Sequence, residues 1–272
     1  MRSTRRLTLT EAGAGYVAAC KRILELVDEA EALAAGEYEV PRGTLAMTAP
    51  IVFGRLHVVP AVTVFLALFP QINVQLTLSD QTLNLVDEHI DVAVRVGALP
   101  DSNLVATKVG EIRRVVCASP AYLAAHGVPT TPGELDQHMC VTFTGLAAGA
   151  TWVFQPRSGV AKSVRPLCRL RINTAEAAID AAAAGVGLTN VLSYQVARPV
   201  AEGKLTVVLR DYEPEPIPVH LVQTGQAIVP LKMRRFTEFA SSRLRRSLSA
   251  DLAMLDVPET TPDKKEGRRR PA

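Results

Sequence analysis

The chain has 272 residues, of which 48% are hydrophobic and 21% charged, which is enough for about two domains with a substantial buried core. Its longest apolar run, residues 58–69, is interrupted by Pro60 and Thr63 and is shorter than the roughly 18 residues that cross a bilayer. No apolar stretch typical of a secretory leader follows the basic residues 1–6. We therefore expect a cytoplasmic protein that does not associate with membranes.

The positive charge is concentrated at the end of the chain. The formal net charge is +3, and residues 263–272 contain five basic and two acidic residues, so this segment alone accounts for +3. The remainder is near neutral, which is typical of a ligand-binding core whose nucleic-acid contacts are confined to its ends. We predict that residues 249–272 form a disordered, solubilising tail rather than a binding arm.

The sequence shows no pattern typical of an enzyme or a metal site. The four cysteines form no C-x-x-C pair, which favours isolated reduced thiols over a disulfide or a zinc site. The five histidines lack metal-binding spacing, and there is no G-x-S-x-G elbow or phosphate-binding loop. The Gly185-Val186-Gly187 segment follows a helical stretch, so we interpret it as a helix end rather than a dinucleotide-binding loop. We predict no catalytic residue, no metal and no cofactor.

Residues 11–36 are predicted to form a long helix. Small or apolar residues recur at alternating spacings of four and three, which is the seam of a coiled coil. The Thr10 hydroxyl can cap the start of this helix, and Gly36 can end it in the left-handed conformation. The regular seam favours dimerisation over packing against the same chain, which is the alternative. The seam residues are Ala12, Tyr16, Ala19, Ile23, Leu26, Ala30 and Leu33.

After a hinge at residues 37–43, strands alternate with helices. Residues 72–78 and 90–96 alternate apolar and polar side chains as half-buried strands do, and helical segments, including a short one at residues 83–89, separate the strands. A β-α-β-α-β order requires crossovers and therefore a parallel sheet. We predict a first α/β lobe from residues 44–118 and 224–248, and a second from residues 119–223.

Several polar loops follow predicted strands. In a doubly wound sheet, the loops that leave the carboxyl ends of the strands line the ligand crevice. Two of these loops also open helices, whose free N–H groups and positive dipole end favour an anion. The alternative for each hydroxyl or amide is simple helix capping, and Arg95 could pair with a ligand anion or close a salt bridge. The loop residues are Thr48, Ala49, Pro50, Gly97, Thr142, Phe143, Thr144, Asn173 and Thr174.

Taken in order, several segments resemble the LysR-type transcriptional regulators, from about residue 2 to residue 246. The family implies a winged helix-turn-helix, a linker helix that dimerises, and an effector domain of two Rossmann-like lobes similar to type 2 periplasmic binding proteins. It also implies an effector pocket between the lobes, near the loop residues named above, and a homodimer or homotetramer. The segments are TRRLTLTEAG, GTLAMTAPIVFGRLHVVPAVTVFLALFP, IDVAVRVGALPDSNLVATKV, ASPAYLAAHGVPTTPGELDQHMCV and NTAEAAIDAAAAGVGLTNVLSYQVARPVAEGKLTVVL.

The resemblance places residues 1–10 at the end of the wing, so Thr4, Arg5 and Arg6 would contact DNA. The helices that precede the wing in the family are not in this sequence. Because side chains in the major groove read sequence while wing arginines mainly bind phosphates, we expect little sequence-specific DNA binding from these residues alone. The function implied is a DNA-binding regulator with a small anionic effector. The alternative is a stand-alone ligand-binding module, or a partner that forms mixed dimers with full-length relatives.

Overall fold

A computed structural model of the chain describes residues 10, 12, 13, 15–17, 19, 20, 23, 24, 27, 40–99, 103–143, 151–157, 159–225 and 229–256. The chain divides into two compact units. Unit 1 comprises Met1–Glu111 and Pro218–Arg246, and unit 2 comprises Ile112–Ile217 and Ser247–Ala272.

The described residues between 12 and 27 are helical, in agreement with the predicted N-terminal helix. The Gly13 N–H donates to the Thr10 hydroxyl oxygen at 3.1 Å, so Thr10 caps the helix as expected. On the predicted seam, Tyr16 is 73% and Ile23 60% exposed, and Ala19 is half-buried. The seam residues Leu26, Ala30 and Leu33, and the wing residues Thr4, Arg5 and Arg6, lie outside the described part of the chain.

Unit 1 contains a five-stranded sheet in the order β2-β1-β3-β12-β4. Strand β1 is parallel to both β2 and β3, and β12 is antiparallel to β3. The buried residues Leu45, Met47 and Ala49 alternate along β1 and place one face of the sheet in the core. The strands are β1 (Gly43–Ala49), β2 (Ile72–Leu78), β3 (Val92–Val96), β4 (Leu104–Ile112) and β12 (Ile217–Thr224).

Helix α1 (Ile51–Leu68) connects β1 to β2 and contains a π-helical turn, Gly54–Val58. The turn brings Gly54 so close to β2 that an added Cβ would lie 2.2 Å from the Leu78 side chain. By length and composition alone α1 could span a membrane, although 44% of it is buried inside the protein and core helices also meet this criterion. The apolar run counted from the sequence, residues 58–69, is shorter than this helix because Arg55 and His57 interrupt the apolar residues before it.

Helix α5 (Leu231–Leu255) begins in unit 1 and ends in unit 2. In unit 1, the Phe65 ring of α1 meets the Phe236 ring of α5 edge-on, with the ring centroids 5.1 Å apart. The prediction of a disordered tail from residue 249 is wrong for residues 249–255, because the helix continues to a fully buried Leu255. The Arg210 guanidinium donates to the Leu255 carbonyl oxygen at 2.7 Å and satisfies this helix end.

Unit 2 contains a five-stranded sheet in the order β11-β5-β10-β6-β9 and a β7-β8 hairpin. Strands β6, β9 and β10 run parallel, while β5 is antiparallel to both β10 and β11. The strands are β5 (Arg114–Ala118), β6 (Met139–Phe143), β7 (Trp152–Phe154), β8 (Lys162–Val164), β9 (Leu167–Ile172), β10 (Leu188–Leu192) and β11 (Thr206–Val208). The helices are α2 (Pro120–His126), α3 (Ala175–Ala183) and α4 (Ser193–Ala201).

A separate apolar cluster packs on each face of the unit 2 sheet. One contains Val116, Leu188 and Trp152, and the other contains Val115, Val191 and residues of α3 and α4. Helix α3 ends as predicted at Gly185, where φ is 84° and the Val186 N–H donates to the Ala181 carbonyl oxygen at 3.1 Å. This is a Schellman end, and glycine adopts its left-handed conformation without strain.

Three local expectations differ from the structure. Strand β5 was expected in the first lobe and β12 in the second, but β5 pairs with β10 and β11, and β12 pairs with β3. Both are antiparallel strands, and an apolar pattern does not specify which distant strand they join. Residues 83–89, expected to be helical, are not a helix, and residues 85–89 form a turn. There the Asn84 side-chain amide donates to the Asp87 carboxylate at 2.6 Å.

Candidate functional site

The predicted loop residues of unit 1 lie along one edge of its sheet. The pairing of β1 with β3 is parallel, so the carboxyl ends of both strands point to one edge of the sheet. Thr48 pairs with Ala93, and Gly97 lies four residues further along, just after β3. Thr48 and Ala49 are buried, and Pro50 and Gly97 are half-buried. Gly97 has a φ of 112° and donates its N–H to the Pro218 carbonyl oxygen at 2.9 Å, so this position requires glycine.

A carboxylate of the chain itself occupies the amino end of α1. The Ile51 N–H donates to Asp80 Oδ1 at 3.1 Å, and the Ser79 N–H donates to the Ala49 carbonyl oxygen at 3.0 Å, which holds this loop against the edge. Free N–H groups were expected here from the sequence, and Asp80 was not predicted as the partner of the Ile51 N–H. Because Asp80 is already negative, an anion at this helix end would meet electrostatic repulsion.

Among the described residues, Arg95 does not form the salt bridge considered as one of its roles. Its guanidinium donates to the Leu83 carbonyl oxygen. This hydrogen bond connects β3 to the segment that precedes it. Partial burial lowers the pKa of Arg95, because desolvation penalises its charged form.

The predicted loop residues of unit 2 also share one edge. Strands β6 and β9 are parallel and Phe143 pairs with Ile172, so Thr142 and Phe143 lie beside the loop that carries Asn173 and Thr174. Asn173 and Thr174 are exposed, and the Thr142 hydroxyl is 3.0 Å from Cys168 Sγ. Thr144 lies outside the described residues.

The amino end of α3 has no side-chain cap. Thr174 occupies the cap position with φ −122° and ψ 138°, but its side chain makes no capping hydrogen bond. The first bond within the helix runs from the Ala178 N–H to the Thr174 carbonyl oxygen at 3.2 Å, so residues 175–177 precede it. Glu176 is the acidic residue of this first turn. Of the two helix ends predicted to favour an anion, this one has no side-chain cap, although Glu176 places a carboxylate in its first turn.

The titratable groups of the described residues do not suggest catalysis. No group of three or more His, Cys, Asp or Glu side chains among them is placed to hold a metal ion. Burial raises the pKa of both Cys117 and Cys140 to about 12, so their thiols stay protonated near neutral pH.

The family model of the LysR substrate-binding domain matches residues 39–245 of this chain. The chain belongs to the LysR family of transcriptional regulators. This match confirms the resemblance and the two-lobed α/β fold class inferred from the sequence.

Named relatives of this LysR-type regulator agree with the match. An HTH-type transcriptional regulator of Xanthomonas campestris pv. campestris is 34% identical over 263 residues, covering 94% of this chain and 75% of that protein. The solved structure of CrgA from Neisseria meningitidis is 31% identical with a TM-score of 0.68, covering 90% of this chain and 83% of CrgA. The full-length Vibrio cholerae virulence activator AphB is 28% identical with a TM-score of 0.68, covering 89% of this chain and 82% of AphB. These relatives are described as transcriptional regulators, not as enzymes.

Two polar residues of the regulator's unit 2 were not predicted as site residues from the sequence. Asn190 is the middle residue of the buried strand β10, and Arg114 begins β5. A single amide inside a buried strand is a detectable signal, because such groups need a hydrogen-bond partner. Its relation to Arg114 depends on antiparallel pairing, which the local sequence does not reveal.

Proposed function

We propose that this LysR-type regulator binds a small anionic effector and that unit 2 supplies the contacts to its negative group. The observation that carries the proposal is the amino end of α3, which has no side-chain cap and lies beside exposed Asn173 and Thr174. The positive dipole end of a helix attracts carboxylates and similar anions.

The edge of unit 1 is assigned a different role. Asp80 already accepts the Ile51 N–H, so Thr48, Ala49, Pro50 and Gly97 are proposed to contact an uncharged part of an effector. The two edges are therefore not equivalent, and the charge of the effector is expected to matter mainly in unit 2.

The regulator is also proposed to bind DNA through Thr4, Arg5 and Arg6 and to form a homodimer or homotetramer through the seam of the N-terminal helix. Exposed Tyr16 and Ile23 support the oligomer, because large apolar side chains at coiled-coil spacing favour a partner helix. A cytoplasmic location is proposed from the same role. The descriptions of the relatives favour a regulator over a stand-alone ligand-binding module.

Calorimetric titration with matched acids and amides tests the proposed charge of the effector. We expect phenylacetate or propionate to bind more tightly than phenylacetamide or propionamide, because only the acids carry the anion. N173D should weaken acid binding by about threefold to tenfold, since it adds a negative charge at this edge. N173Q keeps the amide and serves as the control. Equal binding of acids and amides, or unchanged acid binding by N173D, would contradict the proposal.

A further inference from the structure

One face of the unit 2 sheet changes from apolar to polar toward its carboxyl edge. Val116, Leu188 and Cys140 on this face belong to one apolar cluster. Asn190 pairs with Val116, and Arg114 pairs with Leu192 two residues further along β10. Because side chains two residues apart on a strand share a face, Arg114 and Asn190 lie on the same face as this cluster. Thr142, two residues after Cys140, also lies on it.

Arg114 is a cation without a counter-ion in the described part of the chain. Its side chain is half-buried, and burial lowers its pKa because desolvation penalises the charged guanidinium. The preceding residue, Arg113, is paired: its guanidinium lies 2.9 Å from Asp256 and 3.4 Å from Glu213. Among the described residues no carboxylate lies within ion-pair distance of Arg114. A partly desolvated cation of this kind is expected to recruit an anion.

Asn190 supplies a second, independent observation. It is only 8% exposed, and its Oδ1 atom has no hydrogen-bond partner. Nearly all buried polar atoms in proteins are paired, so an orphaned acceptor in a central strand indicates a missing donor. Thr142, which is 2% exposed, lies on the neighbouring strand β6, one residue beyond the pairing of Thr189 with Val141.

We propose that Arg114 and Asn190 together bind a small carboxylate that also carries a hydroxyl or amino group. The guanidinium pairs with the carboxylate, and Asn190 Oδ1 accepts the hydrogen of the hydroxyl or amine. The two residues are diagonal neighbours across an antiparallel pair, with backbones about 7–8 Å apart, a span that the long arginine side chain shortens. This inference rests on the proposed function, because it names the effector class for unit 2.

The charge available on this face favours a single carboxylate. Arg171 pairs with Thr142 and is exposed, and its strand is three strands from β5, which is about 14 Å. Because Arg171 is exposed, water already solvates its charge, whereas the half-buried Arg114 is the cation that an anion would stabilise. A carboxylate with one negative charge matches one planar guanidinium, which binds it through two parallel hydrogen bonds.

The test titrates the full chain with lactate against propionate and with mandelate against phenylacetate, so that each pair differs by one hydroxyl. We expect the hydroxyacid of at least one pair to bind about tenfold more tightly than its partner, because only it satisfies Asn190. R114Q should weaken that binding by about tenfold to a hundredfold, and R114K should restore part of it. R165Q removes an exposed arginine of the same unit and should leave binding unchanged.

A second variant tests the role of Asn190. N190L keeps a similar volume but removes the acceptor, so it should abolish the preference for the hydroxyacid while the simple acid still binds. Circular dichroism establishes that each variant is folded. Hydroxyacid binding that survives R114Q, or a hydroxyl preference that survives N190L, overturns the inference.

The same titrations separate this inference from the proposed function. If acids bind and N173D weakens them while R114Q does not, the inference fails and the proposed function stands. If R114Q weakens them and N173D does not, the inference stands and the edge at α3 is not the anion site. If no acid binds the folded chain, both are contradicted.

Discussion

The carboxylate of Asp80 accepts a hydrogen bond from the Ile51 N–H at 3.1 Å, so a residue beyond the end of β2 caps the helix that follows β1. D80N replaces this charged cap with a neutral one and removes its interaction with the helix dipole. We expect a loss of about 0.5–1 kcal/mol in the free energy of unfolding, measured by urea denaturation. D136N, at an exposed aspartate of unit 2, serves as the control. A D80N protein as stable as the D136N control would argue against the cap.

The end of α5 should contribute strongly to the stability of unit 2. Leu255 is fully buried in an apolar cluster of that unit, whereas its neighbour Met254 is 41% exposed. L255A should destabilise the protein by about 2–4 kcal/mol, because truncating a buried leucine leaves a cavity. M254A should cost less than about 1 kcal/mol. Similar unfolding free energies for the two variants would mean that the helix does not pack as described.

Stability should fall as the pH drops below about 6.5, the ordinary pKa of histidine. Burial lowers the pKa of His138, with a smaller contribution from the charge of His126, and burial also lowers that of His220, with a smaller contribution from Lys108. Below about pH 6.5 these histidines bind protons in the unfolded chain but stay neutral in the folded chain. The stability present above about pH 6.5 is therefore lost as the pH falls toward the lower pKa of the folded state. Urea unfolding at pH 8 and at pH 5.5 measures the loss, and H138Q should reduce it. An H138Q protein with the full loss would show that His138 is not a source of it.

The predicted seam of the N-terminal helix leads to a matched pair of variants. Ile23 lies on the seam, while Val27, which is 47% exposed, lies off it. I23D should shift the oligomer toward smaller species in light scattering, because a charge in a coiled-coil seam is desolvated on association. V27D should retain the wild-type mass. Equal behaviour of the two variants would exclude the seam as the dimer contact.

Local patterns in the sequence were enough to predict much of the fold. Alternation predicted β2 and β3, and Gly185 predicted the end of α3, because each depends on neighbouring residues. The sheet that β5 and β12 join was not predictable in the same way, since antiparallel partners distant in sequence leave no local signal. The Asp80 cap and the pairing of Arg114 with β10 were not predictable for the same reason, since both partners are distant in sequence. The continuation of α5 to Leu255 was missed because its helix end is satisfied by Arg210, 45 residues away in sequence.

The candidate site was predicted only as a set of loops after strands. The structure groups these loop residues along one edge in each unit, but their role in binding an effector stays a prediction. The distinction between the capped helix end at Ile51 and the uncapped end at Thr174 required side-chain positions. Our proposal that unit 2 contacts the anionic group of an effector depends on this distinction.

The most direct test of the central claim is amide NMR of the chain during titration with mandelate and phenylacetate. We predict that the largest chemical-shift changes for the tighter-binding acid occur at the amides of residues 175–177 and around Asn173, where the amino end of α3 meets the anion. The amide of Ile51, which already donates to Asp80, should change little. Changes centred on Ile51, or no change at α3 with either acid, would contradict the account.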